Sequence, residues 1–398
     1  MISINQRDQW TAAKSCQRSS WALVMMFATV FAAQLTQAQT YSALYTFQGG
    51  TDGSGPRAGL IRDGAGNLYG TTFAGDLNND GVVFKVSATG TEKLLHSFDG
   101  ADGSEPWSSL IRDSSGNFYG TTYSGGISGF GEVFKLDSKG NLTRLYCFTG
   151  GADGANPRAS LVRDSAGNLY GTTFMGGANG AGTIFKVMPS GVESVLYSFK
   201  NGADGAYPWA GLIRDSAGNL YGTTVSGGTS NLGVVFKLSS TGSETVLHSF
   251  AGGADGTFPA SGNLLRDSAG NLYGVTPQGG TPGYGVVYKV DKSGHESVLY
   301  TFTGQANDGG TPINGVVRDN AGNLYGTVNY SPGSNGTSGY GGVFELTPAG
   351  QLGLIYKFSG QADGAPTYST LIRDSAGNLY GTTYTSKPGM GVVFKLIP

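Results

Sequence analysis

The sequence has little cysteine and little histidine. Only two cysteines occur among its 398 residues. Cys16 lies in the N-terminal segment discussed below, so Cys147 has no partner for an intramolecular disulfide, and a cysteine-rich metal site is excluded. The three histidines do not cluster along the chain, so nothing in the sequence indicates a histidine-built catalytic metal centre.

Charge is also scarce, and neither sign dominates. Lys and Arg number 25 against 27 Asp and Glu, and no basic tract occurs, which argues against nucleic acid and polyanions in general as partners. Glycine is abundant at 69 residues, without the G-X-Y period of collagen. Because 38% of the residues are hydrophobic, the chain is not disordered. Scarce helix formers and frequent turn formers predict an all-β fold.

Residues 1–38 differ in composition from the rest of the chain. Arg7, Lys14 and Arg18 precede an apolar run of 13 residues, 21–33, and residues 36–38 (TQA) have the small-x-small pattern of a cleavage site. This pattern predicts a signal peptide over 1–38 and a single mature domain, 39–398, that is secreted or periplasmic. The alternative is a short membrane anchor, but 13 residues cannot span about 30 Å as a helix. No second such run follows, so we expect no stable membrane anchor.

One string recurs seven times in the mature chain. Its first copy is RDGAGNLYGTT at 62–72, and the arginines that open the copies are Arg62, Arg112, Arg163, Arg214, Arg266, Arg318 and Arg373. A repeat length of 50 to 55 residues with this much glycine predicts propeller blades rather than a helical solenoid. In the first copy the strands are expected at 59–62, 67–72, 82–86 and 93–98, joined by two tight turns and two longer loops.

The two ends of the chain predict how the blades are arranged. Residues 42–47 have the pattern of a fourth strand without the first three, and residues 391–396 have the pattern of a third strand without the fourth. Together they complete a seventh blade, and a closed ring removes the bare sheet edges of an open array. We therefore predict a closed seven-bladed β-propeller of four-stranded antiparallel blades. An open β-solenoid is the alternative.

The repeated motif resembles a known group of proteins. RDSAGNLYGTT at 163–173, the GG pair after it, and strands such as GVVFKL at 233–238 and SVLYSF at 194–199 resemble the GloVer tandem repeats of secreted bacterial "choice-of-anchor" proteins. The resemblance covers residues 41–398, but no C-terminal anchor is evident here. The order of a strand, an Asp, a turn with Gly-Asn and a second strand is also similar to the order in NHL-type and gluconolactonase-like propellers. Neither resemblance supplies a catalytic residue, and fold alone does not give function.

Residues present in every repeat are expected to hold the blades together. Asp63 can cap its own turn, and Arg62 can pair with it or with the next blade. Gly70, in the middle of a strand, is expected to permit close approach of a neighbouring sheet. The aspartates of the Asp-Gly pairs before each first strand are expected to be turn residues. They are Asp52, Asp102, Asp153, Asp204, Asp255, Asp308 and Asp363.

A binding site should instead break the sevenfold pattern. In a propeller the fourth-to-first and second-to-third loops emerge on one face, and here these are the variable loops. In the first six of the fourth-to-first loops, the residue after the proline is Arg57, Trp107, Arg158, Trp209, Ala260 and Ile313, and in the seventh blade Tyr368 follows Pro366 by two residues. Because aromatic faces stack on pyranose rings and guanidinium donates to hydroxyls or uronate carboxylates, Arg57, Trp107, Arg158, Trp209 and Tyr368 are predicted to line a sugar groove. The alternative is that these side chains pack between blades.

A single loop has part of a calcium-binding pattern. Asp76, Asn78 and Asp80 offer oxygen at positions 1, 3 and 5, and Gly81 stands at position 6. Position 12, however, is Ser87. A Ca²⁺ site is therefore one prediction for this loop, and a plain polar hairpin loop is the other.

Three functions follow from these patterns. The first is a binding or interaction module for extracellular polysaccharide or protein, monomeric and without catalysis. The second is a propeller enzyme, namely a lyase, lactonase or glycosidase, with Glu105 and aspartates at the channel mouth as its candidate residues. The third is a structural envelope or matrix protein. No catalytic residue is predicted, because His96 and His248 replace packing tyrosines and His295 lies in a turn, so none is expected on the loop-bearing face.

Overall fold

The computed structural model describes residues 39–259, 262–331, 339–387 and 389–398. Within these ranges the chain forms 28 strands, β1 to β28 in chain order, and one short 3₁₀ helix, η1 (Gly253–Asp255). The strands form seven sheets of four, which confirms the predicted closed, all-β, seven-bladed propeller. One compact unit extends from Tyr41 to Ile397. The predicted signal peptide, 1–38, lies outside the described residues.

Each blade has four strands, counted from the central channel outward. The innermost strands are β2 (Ile61–Arg62), β6 (Ile111–Arg112), β10 (Val162–Arg163), β14 (Ile213–Arg214), β18 (Leu265–Arg266), β22 (Val317–Arg318) and β26 (Ile372–Arg373). The second strands are β3 (Leu68–Thr72), β7 (Phe118–Thr122), β11 (Leu169–Thr173), β15 (Leu220–Thr224), β19 (Leu272–Thr276), β23 (Leu324–Val328) and β27 (Leu379–Thr383).

The outer half of each blade completes the sheet. The third strands are β4 (Val82–Val86), β8 (Glu132–Leu136), β12 (Thr183–Val187), β16 (Val234–Leu238), β20 (Val286–Val290), β24 (Gly342–Leu346) and β28 (Val392–Ile397). The outermost strands are β5 (Glu92–Ser97), β9 (Leu142–Cys147), β13 (Glu193–Ser198), β17 (Glu244–Ser249), β21 (Glu296–Thr301), β25 (Leu352–Lys357) and β1 (Thr40–Thr46). Blade 1 contains β2 to β5, the next five blades follow in order, and blade 7 contains β26 to β28 and β1.

The first strand of the chain closes the ring. β1 pairs with β28, as the pattern at 42–47 predicts. Just beyond β1, the Phe47 N–H donates to the Gly391 carbonyl at 3.0 Å, and the Met390 N–H donates to the Phe47 carbonyl at 2.7 Å. Tyr41 also stacks on Tyr356 of blade 6, with ring centroids 4.6 Å apart. No sheet edge is therefore left bare at the junction of the two chain ends.

The repeated Asp-x-x-x-Asn-x-Tyr pattern is one hydrogen-bonded unit. In blade 4, Asp215 Oδ1 accepts from the backbone N–H groups of Ala217 and Asn219, while Oδ2 accepts from Asn219 Nδ2 and the Tyr221 hydroxyl. These bonds outweigh the effect of partial burial and lower the pKa of the Asp215 carboxyl. The predicted turn cap is confirmed, and the tyrosine two residues after the asparagine belongs to the same network, which the sequence alone did not indicate.

Adjacent blades share hydrogen bonds and a core. The buried Thr71 hydroxyl of blade 1 donates to the Pro106 carbonyl of blade 2 at 3.1 Å, where the chain enters the next innermost strand. Phenylalanines fill the layer between neighbouring blades: Phe47 of blade 7 and Phe84 of blade 1 are fully buried, with ring centroids 5.0 Å apart. Burying such rings is the main stabilising contribution of each interface between blades.

The mid-strand glycine has a different role from the one the sequence indicates. A Cβ on Gly70 would lie 2.7 Å from Phe84 Cζ and 3.0 Å from Leu60 Cδ2. Both neighbours belong to the same blade, so the expectation of a neighbouring sheet is wrong. The missing side chain makes room for the ring of the residue opposite, since Gly70 pairs with Phe84 across β3 and β4.

Helix is almost absent from this fold. In the four described ranges η1 is the only helix, and it is far shorter than a bilayer span requires. Accordingly, no helix among those residues is long and apolar enough to cross a membrane.

Candidate functional site

The two sets of variable loops lie on one face, as predicted. In every blade the fourth-to-first loop forms an isolated antiparallel bridge with the second-to-third loop. The bridged pairs are Ser54 with Ala74, Ser104 with Ser124, Ala155 with Met175, Ala206 with Ser226, Thr257 with Gln278, Gly310 with Tyr330, and Ala365 with Thr385. We call this side the loop face and the side with the tight turns the turn face.

In six of these seven fourth-to-first loops, all except the one that leads into blade 7, the residue before the proline has a left-handed backbone conformation. Glu105, Asn156 and Tyr207 have φ of 53°, 57° and 57°, in the region that most residues avoid. In each case the backbone N–H donates to the preceding blade: Glu105 to the Asp80 carbonyl at 2.9 Å, and Tyr207 to the Ala181 carbonyl at 2.8 Å. This hydrogen bond fixes the position of the backbone that leads to the residue after the proline. The X-Pro pairs were visible in the sequence, but their left-handed conformation was not.

A cavity of about 940 Å³ occupies the central channel. Its wall at the loop face includes all five predicted site residues, Arg57, Trp107, Arg158, Trp209 and Tyr368. Ile313 also lines it, whereas Ala260 lies outside the described residues. The structure therefore brings all five predicted residues to one wall of one cavity.

These five residues stack in the order Tyr368, Arg57, Trp107, Arg158, Trp209, which we call the mouth ladder. The Arg57 Cζ atom lies 5.4 Å from the Tyr368 ring centroid and 4.5 Å from that of Trp107. The Arg158 Cζ atom lies 4.2 Å from the Trp107 centroid and 3.7 Å from that of Trp209. The ladder extends over blades 7, 1, 2, 3 and 4, and so occupies one side of the mouth.

A second row of aromatic rings supports the ladder from the second-to-third loops. Arg57 also lies over Phe73 and Tyr384, at 4.6 and 4.3 Å. Arg158 lies over Tyr123 and Phe174, at 5.1 Å each. Sequence reasoning missed these four residues, although a signal was present. The position after the repeated Thr-Thr is aromatic in blades 7, 1, 2 and 3 and becomes Val225, Pro277 and Asn329 in blades 4 to 6.

The two guanidinium groups have rings on their faces, and both Nε atoms are buried without a hydrogen-bond partner among the described residues. Neither Arg57 nor Arg158 forms an ion pair with any described residue; the pairs that do form involve other side chains. Burial lowers the pKa of Arg158 to about 10, with Arg57 acting in the same direction and Glu105 opposing. Arg158 is therefore still protonated at neutral pH.

The stacking changes what each predicted residue can offer a ligand. Trp107 is predicted to present its face to a sugar ring, but both arginines lie over that indole. Tyr368 is 37% exposed and keeps more of its surface available. The donors without a partner are the guanidinium Nε groups and the Trp107 Nε1–H, and of these only the guanidiniums add a positive charge to a directional contact.

Below the ladder, small polar residues lie among apolar ones such as Leu60 and Leu161. Ser109, Ser160, Asn263 and Thr370 line the cavity where the innermost strands begin. The Ser160 hydroxyl accepts from the Ser109 N–H at 3.2 Å, and Asn263 Oδ1 accepts from the Gly211 N–H at 2.9 Å. Nothing in the sequence distinguished them from ordinary turn residues, because their role comes only from their position around the channel.

The histidines and Glu105 do not line the cavity. His96 Nε2 lies 2.8 Å from Asp102 Oδ2, and its ring packs edge-on against Phe98. His96 thus takes the place of the tyrosines that bond to the loop aspartate in other blades, such as Tyr146 with Asp153, so packing is only part of its role. His248 Nε2 lies 3.5 Å from Asp255 Oδ2 but is buried without a hydrogen-bond partner, and burial lowers its pKa.

The candidate calcium loop is held by the protein's own bonds. The Ser97 hydroxyl donates to the Asp76 carboxylate, and the Asn79 N–H donates to the Asp76 carbonyl at 3.2 Å. Burial raises the pKa of Asp80, and Asp99 and Asp102 add to that effect. Across the described ranges no group of three or more His, Cys, Asp or Glu is placed to hold a metal. Calcium binding by Asp76, Asn78 and Asp80 stays a prediction that these contacts do not support.

Comparisons with known proteins address the fold and the family. No curated protein sequence matches the chain. Among solved structures, a puromycin hydrolase mutant aligns with 83% of this chain and 50% of its own, at 12% identity and a TM-score of 0.55. A gluconolactonase from Xanthomonas campestris aligns with 92% of both chains, at 13% identity and a TM-score of 0.47. At these identities the likeness concerns the fold and carries no activity with it.

The repeat itself identifies the family. A family model described as the Gloeobacter/Verrucomicrobia repeat matches residues 26–216, 66–267 and 211–398. These matches overlap and together include every blade of the propeller. The chain therefore belongs to the Gloeobacter/Verrucomicrobia repeat family.

Proposed function

We propose that this protein is a secreted binding module that takes extracellular polysaccharide at the channel mouth on its loop face and does not turn it over. The observation that supports the proposal most directly is the mouth ladder on the wall of a 940 Å³ cavity. A cavity of this size is at the upper end of the roughly 300–1,000 Å³ typical of ligand sites. Aromatic surface combined with a few polar groups is typical of such sites.

The asymmetry of the mouth also supports binding. Blades 1 to 4 place alternating arginine and tryptophan at the position that is Ile313 in blade 6. Holding the blades together cannot require this alternation, because the remaining blades close the same ring without it. Residues that vary between otherwise repeated loops on a rigid scaffold are typical of ligand recognition.

Tryptophan fluorescence tests the proposal. Trp107 and Trp209 are the only tryptophans in residues 39–398, and Arg158 lies over both. A polysaccharide that engages the ladder is expected to shift the tryptophan emission and to reduce quenching by acrylamide. Emission and quenching that no polysaccharide in a broad panel changes would contradict binding at the mouth. Release of new reducing ends or unsaturated products would instead support the enzyme alternative.

A matched pair of variants locates any response. W107F and W209F each remove one reporter from the ladder, and Y146F removes a hydroxyl that bonds to Asp153 at the outer edge of blade 2. If the signal reports binding at the mouth, Y146F retains the full response while each tryptophan variant changes it. A response unchanged by both tryptophan variants would place the bound sugar elsewhere on the protein.

A further inference from the structure

The charge inside the cavity is all of one sign. Among the described residues that line it, the only ionisable side chains that carry charge at neutral pH are Arg57 and Arg158. No Asp, Glu, Lys or His contributes to that wall. The rest of the wall is apolar or carries hydroxyl and amide groups. The cavity therefore holds two positive charges and no anion to balance them.

The aromatic rings stabilise these cations only in part. A ring beneath a guanidinium attracts the charge electrostatically, but it cannot accept the in-plane N–H bonds. Arg158 lies over four rings and still lacks an acceptor at Nε. Its lowered pKa, caused mainly by burial, is consistent with a charge that the protein leaves without a counter-ion. Carboxylate is the group whose planar geometry matches a guanidinium edge with two parallel bonds.

The size and the remaining lining favour a sugar acid over a small free anion. A single carboxylate or phosphate would fill little of 940 Å³. Ser109, Ser160 and Thr370 offer hydroxyl groups deeper in the same cavity, which suits a ligand with many hydroxyls. Arg57 and Arg158 lie over one shared indole, so a chain with a carboxylate on successive sugar units can engage both.

The net charge of the protein does not oppose this ligand strongly. Residues 39–398 contain 22 Lys and Arg against 26 Asp and Glu, a formal charge of −4. That balance alone disfavours a polyanion, but charges beyond the immediate site are screened over about 8 Å at physiological salt. Glu105 is the acidic side chain whose field reaches Arg158, and it forms no ion pair with it at 4.0 Å or less. The two guanidiniums therefore dominate the field inside the mouth.

We infer that the polysaccharide bound at the mouth is acidic, with uronate-type carboxylates paired to Arg57 and Arg158. This inference rests on the proposed function and adds the chemical class of the ligand. The carboxylates form charge-assisted hydrogen bonds with the guanidinium edges, while the sugar hydroxyls meet the serine and threonine groups below. The aromatic rings hold the arginines in place rather than stacking on the sugar.

The test compares acidic oligosaccharides with their own methyl esters. The probes are oligogalacturonate and alginate oligosaccharides, each as the free acid and as the methyl ester, together with citrate as a small anion. We expect calorimetry to show the free acid binding at least tenfold more tightly than its ester, with affinity that falls as salt rises. Loss of one charge-assisted bond is expected to weaken binding by roughly tenfold to a hundredfold.

Variants distinguish the contribution of the arginine charge to binding from that of the guanidinium geometry and from a loss of folding. R57Q and R158Q should each weaken binding of the acid and leave binding of the ester unchanged. R158K keeps the charge but loses the planar fork, so its affinity should lie between wild type and R158Q. K93Q is the matched control, because Lys93 is an exposed residue of the outermost strand of blade 1 and the substitution removes the same charge. Circular dichroism shows whether each variant is folded.

The outcomes distinguish this inference from the proposed function. Equal affinity for acid and ester overturns the acidic-ligand inference while sugar binding stands. Binding of citrate that R158Q abolishes, with no affinity for any oligosaccharide, supports an anion site but contradicts a polysaccharide function. No binding of any probe, or losses in K93Q equal to those in R158Q, contradicts both.

Discussion

Arginine lies over aromatic rings at both ends of the central channel, but in two different environments. At the turn face, each repeated arginine is exposed, and six of them lie 5.6 to 5.9 Å from a tyrosine of the preceding blade. At the mouth, Arg57 and Arg158 are half-buried and each lies over four rings, with a shortest distance of 3.7 Å. Arginine over an aromatic ring thus belongs to the scaffold at the turn face and to the candidate site at the mouth.

The difference comes from the acceptors nearby. At the turn face each arginine is followed by an aspartate that already accepts several hydrogen bonds, as Asp215 does. At the mouth no carboxylate lines the cavity in the described ranges. A residue that recurs in every blade beside groups whose hydrogen bonds are satisfied indicates a scaffold. A residue that departs from the repeat and keeps an unsatisfied donor indicates a binding site.

The largest expected effect is on the stability of the scaffold, from a substitution on the turn face, away from the mouth. D215A removes an acceptor of four hydrogen bonds and leaves the Tyr221 hydroxyl without its partner. We expect a loss of about 2–4 kcal/mol in the free energy of unfolding, measured by urea denaturation. D137A is the control, because Asp137 accepts three hydrogen bonds in an outer turn of blade 2 and none from a tyrosine, so its loss should cost much less. Equal losses in the two variants would show that the repeated network is not what holds the blade.

A somewhat smaller effect is expected from the mid-strand glycine. A Cβ at Gly222 would lie 2.6 Å from Phe236 Cζ and 3.0 Å from Leu212 Cδ2. G222A therefore forces the buried ring to move, at about 1–3 kcal/mol in the free energy of unfolding. Gly64 lies in the tight turn of blade 1 and has nothing within 4 Å of its Cβ position, so G64A is the matched substitution without crowding. A stability of G222A equal to that of G64A would refute the close-packing role.

The smallest expected effect concerns pH and sharpens the contrast between scaffold and site. Burial raises the pKa of Glu193, Glu244 and Glu296 to about 7, and the nearby loop aspartates add to it. A raised pKa means that the folded state binds protons more tightly than the unfolded chain. The stabilisation is thus complete below about pH 4.5 and is lost as the pH rises through about 7.

Thermal unfolding between pH 5 and pH 8 measures this effect. We expect the melting temperature of the wild type to fall by roughly a few degrees over that range, because the three groups remain partly exposed to solvent. The triple variant E193Q/E244Q/E296Q should show a flatter profile. The aspartates of the repeated turns have lowered pKa values, so they titrate below this window. A profile unchanged by the triple variant would contradict the assignment.

Much of the scaffold could be predicted from the sequence because its causes are local and repeated. Turn residues at fixed spacing predicted the tight turns, and the split unit at 42–47 and 391–396 predicted the ring closure. The role of Gly70 was wrong, since the pattern shows that a side chain is missing but not which ring fills the space. The bond from Tyr221 to Asp215 was missed for a similar reason, as two residues six positions apart meet only once the turn has folded.

The candidate site was predicted in part. The alternation of Arg57, Trp107, Arg158 and Trp209 indicated residues that the structure brings together on the wall of the channel cavity, while their role in binding stays a prediction. The stacking of arginine on tryptophan was not predicted, because it joins residues about fifty positions apart that meet only through packing of neighbouring blades. For the same reason the sequence overestimated the surface that Trp107 can offer a ligand. The supporting rings, such as Phe73, were detectable by comparing repeats position by position.

Ring closure by β1 has a consequence for how the protein is made. β1 is the first strand of the described chain, yet its hydrogen-bonding partner, β28 (Val392–Ile397), is the last. Until β28 has been synthesised, β1 is an unpaired edge that can associate with the wrong partner. This edge is therefore open to mispairing for longer than any strand whose partner follows it directly along the chain.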